Sequence, residues 1–234
     1  MIVNTRPSIL ANKTNELLAR SGIEFMHEPL TKILSISPSN QALEKLKQLD
    51  SYDVIIFTSQ TAAKFGAPYL QKHTSKNLNL LIMAIGLATQ RVLSAHGLVS
   101  EVPLGFNSAG LAELIEQSKH EKCLIFCGGK QPQLSFHTPV TLDTFSCYKV
   151  IDEESIELSN ITGNQKAIFL IYNIQTLEVL VRYSQPTDLD KMNLIVASPR
   201  IQEAAFNHGI KGCVVAESPH DEEMTKAAIK LARS

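Results

Sequence analysis

The chain carries no excess of either charge. Its 234 residues hold 22 Lys and Arg against 23 Asp and Glu, a formal net charge of −1. A nucleic-acid binder shows a basic excess or stripe, and a membrane-surface protein shows a basic amphipathic helix; neither pattern is present. Long apolar runs are missing too. None approaches the ~18 residues needed to span a bilayer, and the opening Met1–Pro7 (MIVNTRP) has no basic segment followed by an apolar one. These absences lead us to expect a soluble cytoplasmic protein with no membrane and no nucleic-acid partner. Metal and redox signatures are lacking as well. Cys123, Cys127, Cys147 and Cys213 form no C-x-x-C pair, and the seven histidines form no H-x-H or H-E-x-x-H. Buried free thiols and no metal site are the expectation. Neither G-x-G-x-x-G nor G-x-x-x-x-G-K-[ST] occurs, which counts against dinucleotide and P-loop chemistry.

What the chain does hold is enough apolar material, 44%, for a packed core, and an alternation of strand and helix signals. Its length suits one large domain or two small ones. Ile2–Thr5 reads as a strand, Ser8–Arg20 as an amphipathic helix stopped by Gly22, and Ile23–Leu30 as a second strand. Short continuous apolar runs follow at Val54–Phe57, Leu80–Ile85, Leu124–Phe126, Ala167–Ile171, Leu194–Ala197 and Cys213–Ala216. Runs of this kind, each ending in a small or polar turn, are the mark of buried parallel strands. Their alternation with helices predicts an α/β fold, a mostly parallel sheet covered by helices on both faces. Ligands of such sheets bind beyond the carboxyl ends of the strands.

The chain also resembles itself. Leu81–Gly97 (LIMAIGLATQRVLSAHG) lines up with Asn193–Gly209 (NLIVASPRIQEAAFNHG) at a constant offset of 112 residues, and Phe57–Phe65 lines up with Ile171–Val179 at an offset of 114. We read this as a duplicated α/β unit. Residues 1–30 supply a strand, helix and strand that complete the C-terminal copy. The chain then crosses to the middle copy near 30–36 and returns near 147–153, both β-prone stretches.

Several motifs fall in an order that resembles the uroporphyrinogen-III synthase family. They are VNTRP at Val3–Pro7, IFTSQTA at Ile56–Ala62, AIGLAT at Ala84–Thr89 followed by Leu93 and Gly97, then Pro103, Tyr148 in a β-prone stretch, SPRI at Ser198–Ile201 and AESP at Ala216–Pro219. The resemblance implies two similar parallel-sheet α/β domains joined by a two-strand connector, with a cleft between them. The first domain would be 1–33 plus 152–234, the second 36–149, and the connector strands 30–36 and 147–153. It implies a cofactor-free monomeric enzyme that acts on a small molecule, hydroxymethylbilane. The enzyme closes this linear tetrapyrrole to uroporphyrinogen III with loss of water and inversion of the last ring. Azafulvenium and spiro-pyrrolenine intermediates lie on the implied route.

That substrate carries an acetate and a propionate on every ring, whereas the chain has no positive excess. Helix N-termini can bind carboxylates without formal charge. The candidate turns are Thr58-Ser59-Gln60, Gly86 with Thr89, Asn173, and Ser198, each between a strand and a helix; their Ser, Thr and Asn side chains are equally suited to capping those helices. Tyr148 matches the family's cleft tyrosine and is the candidate acid, since a phenol of pKa ~10 is protonated at neutral pH. Arg6, Lys130 and Arg200 are candidate cations. The family often carries an R-G-x-G-G-R turn, and Cys127–Pro132 departs from it by lacking both arginines. A second reading of the same pattern is a cytoplasmic two-lobed protein that binds an anionic small molecule without chemistry.

Overall fold

Parallel strands buried on both faces order this chain. The structure, a computed structural model, describes residues 1–74, 80–103, 108–117, 120–129, 139–156, 158 and 167–234. Among them the strands are β1 (Ile2–Asn4), β2 (Phe25–His27), β3 (Thr31–Ser35), β4 (Val54–Phe57), β5 (Leu81–Ala84), β6 (Lys122–Gly128), β7 (Thr141–Asp152), β8 (Ile168–Ile171), β9 (Asn193–Val196) and β10 (Gly212–Val215). The helices are α1 (Asn12–Arg20), α2 (Asn40–Lys47), α3 (Gln60–His73), α4 (Leu87–Ala95), α5 (Ser108–Gln117), α6 (Ile174–Tyr183), α7 (Pro199–Asn207) and α8 (Asp221–Arg233). The chain divides into two compact units, Met1–Ile33 with Ile151–Ser234, and Leu34–Val150. The α/β class with parallel sheets read from the sequence is what the structure shows.

The unit containing both chain ends has the sheet β10-β9-β8-β1-β2, parallel throughout. Its apolar runs are continuous because both faces are covered. Phe169 and Ile171 of β8 pack with Leu177 and Leu180 of α6 and Ile201 and Ala205 of α7. Ile168 and Leu170, one position out of phase, pack with Leu18 of α1 and Met224 and Ala228 of α8. The other unit has the sheet β3-β7-β6-β4-β5, with β4, β5, β6 and β7 parallel. Ile55 and Phe57 face α2, α3 and α4, while Val54 and Ile56 face the side of Ile115 on α5. Rings cross the first of these faces in sequence: Phe57 and Phe126 stack at 4.5 Å, and Phe126 meets Phe145 at 4.8 Å. Gly66 lets α3 lie against that row, since a Cβ there would stand 2.4 Å from Phe126 Cδ1. A glycine inside a helix costs about 1 kcal/mol relative to alanine; the close approach to Phe126 explains why it is there.

The internal repeat is structural. β5 and β9 begin at equivalent positions, as do α4 and α7, and His96 and His208 both end their helices. Gly97 and Gly209 follow with φ of 72° and 85°. The closing hydrogen bonds also repeat: Leu98 N to Leu93 O and Ile210 N to Ala205 O, each at 3.0 Å. Earlier in each unit Ser59 and Asn173 take the same N-cap place, ahead of α3 and α6.

Three elements differ from the sequence reading. The helix expected over 8–20 opens as a 3₁₀ turn, Ser8–Leu10, before α1. The strand expected over 23–30 is shorter, because Leu30 turns to donate its N–H to Thr5 O and Thr31 begins β3, with Pro29 lacking a donor for the ladder. The second crossing is the last part of the twelve-residue β7, which starts at Thr141. β3 lies beside β7. Ile36 N donates to Cys147 O at 3.1 Å and Glu153 N to Leu30 O at 3.0 Å, so the pair runs antiparallel.

Candidate active site

In the unit of residues 34–150, four neighbouring parallel strands deliver their carboxyl ends to one edge of the sheet. Gly86 follows β5, Thr58 and Ser59 follow β4, Gly128 ends β6, and Tyr148 lies on β7. The Thr58 hydroxyl donates to Phe126 O at 3.1 Å, which ties the β4 end to β6. Ser59 caps α3, its Oγ accepting from Ala62 N at 3.0 Å, and the same oxygen stands 3.3 Å from the Tyr148 hydroxyl. Either hydroxyl can be the donor of that contact; with Ser59 donating to the phenol oxygen, the phenol O–H is left to be given to something else. Burial pushes the Tyr148 pKa up, and the bond to Ser59 opposes this in part. The group is therefore a protonated, weakly acidic donor at neutral pH.

Tyr148 owes its direction to an irregularity. Cys127 pairs with Ser146, but Gly128 pairs with Tyr148, so β7 carries one extra residue, Cys147. Strict alternation would turn Tyr148 away from the face of Phe145 and Cys147. With the bulge, Phe145, Cys147 and Tyr148 all pack in the same cluster. Cys147 is fully buried, with its thiol pushed up to about 12 by burial, and it donates weakly to Cys127 O at 3.4 Å. It is inert filler rather than a nucleophile.

The remaining candidates of this unit differ in exposure. Gly86 precedes α4 with extended backbone and no side-chain cap, and nothing lies within 4 Å of a Cβ built on it. Thr89, in the first turn of α4, is only 3% exposed. Gln60 is exposed. Lys130 lies outside the described residues.

In the unit with the chain ends, Arg6, Asn173 and Ser198 follow β1, β8 and β9 at one sheet edge. Asn173 caps α6, its Oδ1 accepting from Thr176 N at 2.9 Å and from the Thr176 hydroxyl at 3.1 Å. Ser198 precedes α7 without a side-chain cap, ahead of Pro199 at the first helical position. Arg200 is exposed and pairs with no carboxylate among the described residues. Arg6 is engaged. It forms an ion pair with Asp221, and its guanidinium lies 4.2 Å from the Tyr172 ring centroid. Asp221 also accepts from Thr14 at 3.0 Å and Tyr172 at 3.3 Å. Burial lowers the Arg6 pKa, and Tyr172 acts in the opposite sense. This polar knot ties β1, α1, β8 and the start of α8 together. The sequence reading missed Asp221 and Tyr172 as partners because they stand 215 and 166 positions from Arg6.

A family model described as uroporphyrinogen-III synthase HemD matches residues 12–226. The chain belongs to the uroporphyrinogen-III synthase family. Family membership makes it an enzyme of haem biosynthesis with a small-molecule tetrapyrrole substrate. A solved mutant uroporphyrinogen III synthase from the extremely thermophilic bacterium Thermus thermophilus is similar over 99% of this chain and 98% of its own, with 13% identity and a TM-score of 0.63. A uroporphyrinogen-III synthetase of Helicobacter pylori is similar over 98% of each chain, with 14% identity and a TM-score of 0.64. At such identities these likenesses speak to the fold. No curated protein matched in sequence. The family does not favour the reading of a binding protein without chemistry. Among the described residues, no helix is long and apolar enough to cross a membrane, and no cluster of three His, Cys, Asp or Glu could hold a metal.

Proposed function

We propose that this chain is a cyclising hydro-lyase that converts hydroxymethylbilane to uroporphyrinogen III, with Tyr148 as the proton donor. The observation that carries the reading is the Tyr148 phenol, held protonated at a sheet edge with Ser59 hydrogen-bonded to its oxygen. As the C–O bond of the substrate's hydroxymethyl group breaks, the phenol proton passes to the departing oxygen and water leaves. The electron pair of the neighbouring pyrrole fills the gap and an azafulvenium cation forms. The last ring attacks through its substituted α-carbon, the spiro intermediate rearranges, and the closed macrocycle loses one proton on regaining aromaticity. That proton restores the phenol. The pyrroles supply the bonding electrons, so the protein's main task is orientation, with fixed dipoles near the cation as the second.

The carboxylates of the substrate call for anion sites on a chain of net charge −1. We assign them first to the turns at Gly86 and Ser198, which are equivalent in the repeat. Neither carries a side-chain cap, so the first-turn amides of α4 and, in α7, the Arg200 amide are available to a ligand, since Pro199 has no N–H and Ile201 N–H donates to Ser198 O. Ser59 and Asn173, by contrast, already satisfy an amide of their own helices. Arg200, two positions after Ser198 and without a carboxylate partner among the described residues, supplies a cation there; Arg6, held by Asp221, stabilises the fold instead.

The test is product analysis. Hydroxymethylbilane is generated in situ by its synthase in the presence of this protein, and the oxidised porphyrins are separated by isomer. Isomer III is the expected product. Isomer I alone, the product of unassisted closure, would refute the assignment.

A further inference from the structure

We propose that Gly128 is a positioning residue: the absence of a side chain there, together with the extra residue Cys147 in β7, forms the seat that aims the Tyr148 hydroxyl. The proposal deepens the reading of Tyr148 as proton donor and rests on it. A Cβ built on Gly128 would stand 2.9 Å from Tyr148 Cζ, 3.0 Å from Cε2 and 3.2 Å from the hydroxyl oxygen. The ring therefore lies flat against the bare backbone at the end of β6. Its other neighbours among the described residues include Phe65, with ring centroids 6.4 Å apart, and Ser59 at the hydroxyl. Gly129, the next residue, makes no such demand, since the nearest atom to a Cβ there is 3.9 Å away. The two glycines are adjacent in sequence, yet only one is sterically required. The bulge supplies the other half of the device. The extra residue brings Tyr148 opposite Gly128, where regular pairing would have set Cys147.

A methyl group on Gly128 must push the ring outward by roughly half an ångström or more to reach ordinary contact. A proton donor displaced on that scale loses on the order of tenfold to a hundredfold in turnover. We expect Gly128→Ala to lower kcat by about that factor with KM little changed, and Gly129→Ala to leave both near wild type. The decisive comparison is a cycle with Tyr148→Phe, which keeps the ring and removes only the hydroxyl. In that background Gly128→Ala should cost little more. Equal losses with and without the hydroxyl would overturn the proposal, because they would mean a general packing role. A second readout needs no activity. The ultraviolet titration of Tyr148, isolated by subtracting the Tyr148→Phe protein, should shift in Gly128→Ala as the ring leaves its seat and its hydroxyl moves relative to Ser59. An unchanged titration would overturn the proposal whatever the kinetics show. If Tyr148→Phe itself turns over like wild type, the proton-donor reading fails, and the titration still decides whether Gly128 sets the seat. Should Gly128→Ala not fold, Phe65→Leu opens the other wall of the seat and is read by the same titration, where no shift would count against the seat.

Discussion

One oxygen, Ser59 Oγ, both caps α3 through Ala62 N at 3.0 Å and meets the Tyr148 hydroxyl at 3.3 Å. Ser59→Ala removes both contacts. The cap accounts for about 1 kcal/mol, a fall of about 2–4 °C in Tm for a chain of this size. The lost contact to the phenol should show separately, as a lower rate of isomer III formation. Ser59→Thr should restore both. A variant that melts earlier yet turns over at the wild-type rate would mean that Ser59 serves the helix alone.

Gly97 and Gly209 offer a cleaner energetic comparison. Both have positive φ at the end of equivalent helices, and nothing lies within 4 Å of a Cβ built on either. Replacement by alanine therefore costs backbone strain alone, about 1–2 kcal/mol. The two single variants should be destabilised by nearly the same amount in chemical denaturation. A large inequality would show that the two turns are not energetically equivalent.

The Arg6–Asp221 pair is mostly buried, with side-chain exposures of 16% and 20%. Losing one member of a fully buried pair costs roughly 3–5 kcal/mol, and partial exposure reduces this to about 1–3 kcal/mol. Arg6→Ala should lower the melting temperature accordingly and leave KM close to wild type. A raised KM with an unchanged melting temperature would return Arg6 to the ligand.

Asp143 makes stability depend on pH in a defined direction. Burial opposes its ionisation, but Lys45 at 2.9 Å and the Tyr52 hydroxyl at 2.9 Å outweigh this, and its pKa is lowered. The folded state therefore binds the proton less readily than the unfolded chain. The stabilisation is complete above the ordinary carboxylate value of about 3.9 and is lost as pH falls through the depressed one. Wild type should exceed Asp143→Asn in stability near neutral pH, with the gap closing below about pH 4. Denaturation curves across that range check the sign; a gap that widens in acid would contradict it.

Much of this fold was legible because it rests on local signals. Val54–Phe57 and Ile168–Ile171 are short apolar runs between turn residues, and a strand buried on both faces needs only that. The repeat was legible because Gly97 and Gly209 mark the same backbone turn. The site was less so. Tyr148 stood out by family resemblance, but its contact with Gly128 depends on Cys147 bulging from β7, and no periodicity encodes a register shift between strands. The tie between Arg6 and Asp221 is hidden for a similar reason, since only the packing of α8 beside β1 and α1 joins residues so distant in the chain. The early part of β7 escaped notice because Thr141–Thr144 is mixed in polarity, as suits strand residues that are only partly buried.

The most direct test of the central claim is the initial rate of isomer III formation by Tyr148→Phe. If the phenol gives its proton to the departing hydroxyl, the rate falls by on the order of 10²-fold. Isomer III continues to form slowly, because orientation of the pyrroles is retained, and isomer I rises as unassisted closure competes. A Tyr148→Phe protein that makes isomer III at the wild-type rate would contradict the account.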